Sequence, residues 1–72
     1  MTQVKAEMAA SVWRVLVAVG DRVEVGDELV VLESMKMEIP VVAETAGRVS
    51  AVHVTEGSSV EEDEPLMTIS PD

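Results

Sequence analysis

The pattern of apolar and polar residues predicts short β-strands separated by turns. Valines recur at every second position over 15–19 and again over 23–25, which is the period of a strand with one buried face. Glycine-aspartate pairs at 20–21 and 26–27 follow these segments as turns. The apolar run 29–32 has the length of a buried strand. Short strands at such spacing predict an all-β sandwich or barrel.

An internal repeat relates the two halves of the chain. Shifted by 37 positions, residues 4–33 lie over 41–70 with 11 identities in 30 pairs, where composition alone gives roughly 3. The identities include Gly20 with Gly57, although glycine is scarce in this chain. Because halves of this size cannot each bury a hydrophobic face alone, we expect one domain over 1–72. In it, three or four strands from each half pack together about a pseudo-twofold axis.

A helix is the alternative for the N-terminal segment. Apolar residues from Met8 to Val19 also fit a helical stripe that ends at Gly20. The equivalent segment 45–56 contains Gly47 and lacks that stripe. Since equivalent segments should share one conformation, the repeat favours strands.

The unrepeated segment 34–40 is the candidate functional segment. Because it joins the two halves, we expect it to form a hairpin tip with Lys36 at its exposed apex and Pro40 at the sheet edge. The pseudo-symmetry places the chain termini together at the opposite end. Met35 and Met37 flank the lysine, and methionine suits adaptable contacts with a partner. We therefore predict that Lys36 is functional.

Composition and charge exclude several function classes. The chain lacks cysteine, which removes disulfides, thiolate metal sites and cysteine nucleophiles. Five Lys and Arg stand against 14 Asp and Glu, giving a net charge of −9. This balance argues against nucleic acid and anionic membranes and favours partners with basic patches. Without a membrane-length apolar run or a signal peptide, we expect a cytoplasmic protein that is complete from Met1.

Candidate catalytic and metal-binding residues are scarce. His53 is the only histidine, and we expect a surface or packing residue in the middle of a strand. The acidic run 61–64 lacks the spacing of a calcium loop and is better explained as a solvated turn. Trp13 is expected to be a partly exposed strand residue. The sequence therefore predicts no catalytic residues and no metal site.

The segment Glu33-Ser34-Met35-Lys36-Met37-Glu38 lies between two valine-rich, glycine-containing halves. It resembles the biotinyl domain of the biotin/lipoyl attachment family, and the resemblance extends over about residues 3–70. It implies a flattened eight-stranded barrel, or sandwich, of two four-stranded antiparallel sheets with quasi-twofold symmetry. The chain departs from the family pattern at Glu44, where proline is common, and at Asp63, where a turn glycine is usual.

The resemblance also implies a function. Lys36 would carry covalent biotin, added by a biotin protein ligase. The chain would be a non-catalytic carboxyl carrier, monomeric when free, for the biotin carboxylase and carboxyltransferase components of a carboxylase. The residues expected to shape the hairpin or contact the ligase are Glu33, Ser34, Met35, Met37 and Glu38. Two alternatives stay open: a lipoyl carrier on the same fold, although lipoyl domains commonly have Asp-Lys-Ala or Asp-Lys-Val, and an unmodified structural or interaction module.

Overall fold

Eight β-strands form the fold of residues 1–71, the part of the chain that the computed structural model describes. The strands are β1 (Thr2–Lys5), β2 (Ala10–Val15), β3 (Arg22–Val23), β4 (Glu28–Ser34), β5 (Met37–Val42), β6 (Gly47–Val52), β7 (Ser59–Val60) and β8 (Pro65–Ser70). No helix that could cross a membrane occurs in these 71 residues. The helical alternative for the N-terminal segment is wrong, because β2 lies there with Val12 buried between exposed neighbours.

The strands form two antiparallel four-stranded sheets. We call one the terminal sheet, with the order β1-β8-β6-β3, and the other the hairpin sheet, with the order β5-β4-β2-β7. All six strand pairings are antiparallel. The predicted all-β architecture of two four-stranded sheets is therefore confirmed.

Pseudo-twofold symmetry relates the two sheets, as predicted. A shift of 37 residues carries β2 onto β6 and β3 onto β7 with identical bounds. The irregularity between Val12 and Arg14 in the β2–β4 pair recurs between Val49 and Ala51 in the β6–β8 pair. Each sheet contains two strands from each half of the chain. Neither half therefore holds a complete sheet by itself.

The hydrophobic core lies between the two sheets and is wholly aliphatic apart from one methionine. Most of its buried residues are symmetry equivalents: Ala6 and Ala43, Val12 and Val49, Val23 and Val60, Leu29 and Leu66, Val30 and Met67, Leu32 and Ile69. Burial of a valine or leucine side chain contributes about 1.5–3 kcal/mol. The repeat in the sequence is therefore largely a repeat of core positions.

Four tight turns recur by the same symmetry at 18–21, 24–27, 55–58 and 61–64. In each, the amide of the fourth residue donates to the carbonyl of the first over 3.0–3.1 Å. The third residue has positive φ: Gly20, Gly26, Gly57 and Asp63. This combination is typical of type II turns. In each turn the fourth side chain, that of Asp21, Asp27, Ser58 or Glu64, also accepts a hydrogen bond from the first amide.

Two strands end earlier than predicted, β2 at Val15 and β6 at Val52. The alternating segment 15–19 does not continue as a strand, because the chain leaves the hairpin sheet after β2 and crosses to β3 in the terminal sheet. Val19 consequently lies in a turn and is exposed. His53 follows the end of β6 and does not lie mid-strand, although its amide still donates to the Leu66 carbonyl over 2.9 Å.

The first and last strands have their outer ends, Thr2 and Ser70, at the end of the molecule opposite the β4–β5 turn. Strand β5 runs away from that turn, and residues 43–46 connect it to β6, whose Arg48 pairs with Ser70. Thr2 of β1 pairs with Ile69 at the same end. The molecule measures 35 Å along its longest axis and 18 Å and 17 Å across. These strand ends and the turn are therefore at the two poles of an elongated sandwich.

Candidate functional site

The turn between β4 and β5 places Lys36 at the apex of a two-residue hairpin loop. Ser34 pairs with Met37, which leaves Met35 and Lys36 as the two loop residues, with φ of 53° and 65°. Positive φ at both central residues is typical of the type I′ turn, whose twist matches that of the flanking strands. The tip is shorter than the predicted segment 34–40, because residues 37–42 pair with β4 as strand β5. Pro40 lies within this edge strand, where a missing amide is tolerated.

The backbone of this turn is strained for the residues that form it. Type I′ turns favour Asn-Gly or Asp-Gly, and left-handed backbone costs about 1–2 kcal/mol for an ordinary L-residue. Six residue pairs between β4 and β5 support the turn, and Leu32 at 1 % exposure anchors β4 in the core. Strain of this kind persists where the surrounding structure enforces it, and it clusters at functional sites. The position of the lysine is thus determined by the strand ladder.

The side chains of the hairpin tip project into solvent. Met35 is 91 % exposed and Met37 is 65 % exposed, and Lys36 is exposed between them. No hydrogen bond or ion pair from another residue within 1–71 restrains the Lys36 ammonium. The amine is therefore free to enter a cleft on another molecule.

Behind the tip, Glu33 and Glu38 face each other as an exposed cross-strand pair, and Ser34 is half-buried. All six residues predicted for the site therefore lie together at one pole. A primary amine becomes a nucleophile only after it loses its proton, which requires a base or a partner enzyme. His53, the only histidine, lies instead beside Thr68 on the terminal sheet, 3.1 Å from its hydroxyl. The arrangement fits an acceptor of a covalent group better than a catalytic centre.

Comparisons with known proteins identify the family. A family model described as "Biotin-requiring enzyme", which covers biotin/lipoyl attachment domains, matches residues 2–69. The chain belongs to the biotin/lipoyl attachment family. Its resemblance to that family is thus confirmed over nearly its whole length.

Two curated relatives in this family are of about the same length as the chain. The Biotin/lipoyl attachment protein of Bacillus subtilis (strain 168) is 46% identical over 67 residues, covering 93% of this chain and 92% of the relative. The "Biotinylated protein TB7.3 homolog" of Mycobacterium leprae is 51% identical over 67 residues, covering 93% of this chain and 94% of the relative. The Biotin carboxyl carrier protein of Streptococcus mutans is 46% identical over 65 residues, but the match covers only 50% of that relative.

Two solved structures that contain the same fold are much larger carboxylases. A single-chain, multi-domain long-chain acyl-CoA carboxylase matches with a TM-score of 0.92 and 34% identity, covering 99% of this chain and 7% of that one. The Kluyveromyces lactis urea carboxylase matches with a TM-score of 0.89 and 32% identity, covering 96% of this chain and 6% of that one. The fold of this family member thus recurs as a small part of carboxylases.

Two features near the hairpin were not predicted. The sequence does not predict the left-handed backbone of the turn, because Met35-Lys36 lacks the Asn-Gly signal of a type I′ turn. The predicted partial exposure of Trp13 in a strand is confirmed at 43 %, but the apolar character of the outer face of the hairpin sheet as a whole was not predicted. A comparison of each residue with its repeat equivalent is the sequence signal that would have found this face.

Proposed function

We propose that the chain is a biotin carrier, with biotin attached through an amide to Nζ of Lys36, and that it serves as a carboxyl carrier for a biotin-dependent carboxylase. The observation that carries the proposal is the solvent-exposed Met35-Lys36-Met37 tip, built on a strained turn at one pole of the family fold. Membership of the family and the relatives named as biotinylated or biotin carboxyl carrier proteins support it.

The exposed Lys36 fits covalent attachment because nothing within residues 1–71 occludes or pairs its amine. A biotin protein ligase removes a proton from the ammonium. The Nζ lone pair then attacks the carbonyl carbon of biotinyl-adenylate and a C–N bond forms. The C–O bond to phosphate breaks, AMP leaves with that electron pair, and the nitrogen releases a second proton to give the neutral amide. The bound biotin supplies the carboxyl-carrying chemistry, and the chain supplies position. Tethering raises the effective concentration of the group at each partner active site.

The residues around Lys36 serve recognition in this proposal. Met35 and Met37 offer flexible apolar contacts to the ligase, while Glu33, Ser34 and Glu38 shape the end of the hairpin and present negative charge and a hydroxyl. The chain acts as one domain over 1–72, a monomer when free and cytoplasmic. It has no catalytic residues of its own, and its later partners are biotin carboxylase and carboxyltransferase components.

Co-expression with a biotin protein ligase and excess biotin tests the proposal. Intact mass should show one biotinyl adduct per chain, and streptavidin should bind it. The adduct should disappear in Lys36→Arg and persist in Lys5→Arg, a matched control because Lys5 is the other lysine and is also exposed. A wild-type chain without an adduct would refute the proposal. A lipoyl adduct formed by a lipoyl ligase instead would favour the other carrier of the family.

A further inference from the structure

The pseudo-symmetry allows the solvent-facing surfaces of the two sheets to be compared position by position. Equivalent residues have the same strand neighbours and the same bulges. Requirements of folding alone should therefore give both outer faces a similar polarity. A consistent difference between them indicates a requirement other than folding.

The outer face of the hairpin sheet is apolar where the terminal sheet is polar. The equivalent pairs are Trp13 and Ser50, Leu16 and His53, Val31 and Thr68, Pro40 and Gln3, Val42 and Lys5. Trp13, Leu16 and Val42 are 43 %, 46 % and 41 % exposed and Pro40 is exposed, whereas Val31 is only 8 % exposed. We call Trp13, Leu16, Val31, Pro40 and Val42 the apolar face. Single exposed apolar residues are ordinary, but here five equivalent positions differ in the same direction. The neighbouring pair Arg14 and Ala51 differs in the opposite direction, so this face also carries one cation.

The members of the apolar face are neighbours across the strands. Arg14 pairs with Val31, and Val31 pairs with Pro40 on the edge strand. The bulge turns both Trp13 and Arg14 outward, and the Arg14 guanidinium lies 4.9 Å from the centre of the Trp13 ring. On the terminal sheet, the equivalent positions instead form hydrogen bonds, from Ser50 to the Thr68 carbonyl and between His53 and the Thr68 hydroxyl. The outer face of the hairpin sheet is therefore better suited than that of the terminal sheet to an apolar contact with another protein.

Acidic residues border the apolar face. Glu33 and Glu38 form the next row toward the turn, and Glu28 pairs with Val42 at the other end. The chain carries a net charge of −9, which opposes association of this face with a second copy. An apolar centre with an acidic rim is complementary to a surface with an apolar centre and a lysine- and arginine-bearing rim.

We propose that the apolar face is the docking surface for the enzyme that acylates Lys36, and that this enzyme contacts it through such an apolar, basic-rimmed surface. The inference rests on the proposed function. The face continues directly from the hairpin, because Val31 and Pro40 lie two residues, about 7 Å, behind Glu33 and Glu38.

The reach of the lysine favours the acylating enzyme over later partners. An unmodified lysine side chain extends only about 6 Å from its Cα. An enzyme that acts on Nζ must therefore bring its body against the hairpin, from which the apolar face continues along the same sheet. After modification, the attached group lengthens the arm, so partners that use it can reach it from farther away.

Residue exchanges between the two faces test the inference. Trp13→Ser, Leu16→His and Val42→Lys each introduce the residue that the equivalent position already holds. The reciprocal variants Lys5→Val and His53→Leu make the terminal sheet more apolar and serve as matched controls. The assay measures initial rates of biotin transfer to the unmodified chain by a biotin protein ligase with ATP and biotin. Thermal unfolding checks that each variant is folded.

Trp13→Ser should raise the KM for the chain at least tenfold, as for a central aromatic contact, and leave kcat within about twofold. Leu16→His and Val42→Lys should raise KM less, and the reciprocal variants should change it by less than about twofold. If Trp13→Ser does not fold, the other two variants decide, because their side chains are already nearly half exposed.

Wild-type KM values in all three face variants would overturn the docking inference and leave the carrier function intact. If the ligase does not biotinylate the wild-type chain, that result would instead refute the carrier function on which the inference rests. Normal biotinylation combined with impaired carboxylation of the attached biotin would assign the face to another partner and contradict the inference as stated.

Discussion

Asp63 is the one non-glycine residue with positive φ among the four symmetric turns. Asp63→Gly should raise the free energy of unfolding by about 0.5–1 kcal/mol. Relief of left-handed backbone is worth about 1–2 kcal/mol, and the added unfolded-state entropy of glycine offsets part of it. Urea denaturation measures the change. A decrease in stability would mean that the aspartate side chain stabilises the turn by more than its backbone strain.

The equivalent residue, Gly26, provides the reverse experiment. Gly26→Ala should lower the free energy of unfolding by about 1 kcal/mol. A Cβ built at Gly26 meets no atom within 4 Å, so the loss reports on backbone conformation alone. Equilibrium denaturation in urea compares the two variants directly. An unchanged stability would show that this turn adapts its backbone to a side chain.

The turn residues Met35 and Lys36 are also expected to reduce stability. Replacing both, as Met35→Asn with Lys36→Gly, introduces the preferred type I′ pair and should stabilise the protein by about 1–2 kcal/mol. Thermal unfolding should show a higher Tm, although the variant has lost the acceptor amine. A Tm at or below that of the wild type would indicate that the left-handed turn is not strained by its native residues.

At the scale of the strands, Gly47 is required where β6 approaches β8. A Cβ there would lie 2.2 Å from the backbone oxygen of Ser70 and 2.8 Å from Cγ2 of Ile69. Gly47→Ala should therefore lower the free energy of unfolding by about 3 kcal/mol or more, because strand backbone must move. The equivalent Ala10→Gly should cost only about 0.5–1 kcal/mol. Chemical denaturation of both variants tests this contrast; equal losses would contradict it.

The strands show what the sequence can and cannot predict. Core positions such as Val12 and Val49 were predictable because the repeat and the alternation with polar residues coincide there. Strand ends were less predictable: residues 15–19 alternate like a strand, but the chain crosses between sheets after Val15. Lys36 could be singled out because it interrupts the repeat. Its left-handed backbone could not, since the ladder imposes that conformation on residues that do not favour it.

At the scale of the whole molecule, the two halves depend on each other to fold. Each sheet takes two strands from each half, so a fragment of residues 1–34 lacks neighbours for β1 and β3. We expect this fragment to give the circular dichroism spectrum of an unfolded chain, whereas the intact protein shows β-structure, because isolated strand pairs are marginally stable. A folded fragment with cooperative thermal unfolding would contradict this dependence.

The opposite placement of the turn and the two chain ends has a practical consequence. Thr2 and Ser70, close to the two chain ends, lie together at the far pole of the 35 Å sandwich. A bead, a fluorophore or a fused protein can therefore be attached to either end without covering the lysine. Attachment at the N-terminus and attachment at the C-terminus should leave Lys36 equally accessible to enzymes that approach from the opposite pole. Either end can therefore serve as the point of attachment while Lys36 stays accessible.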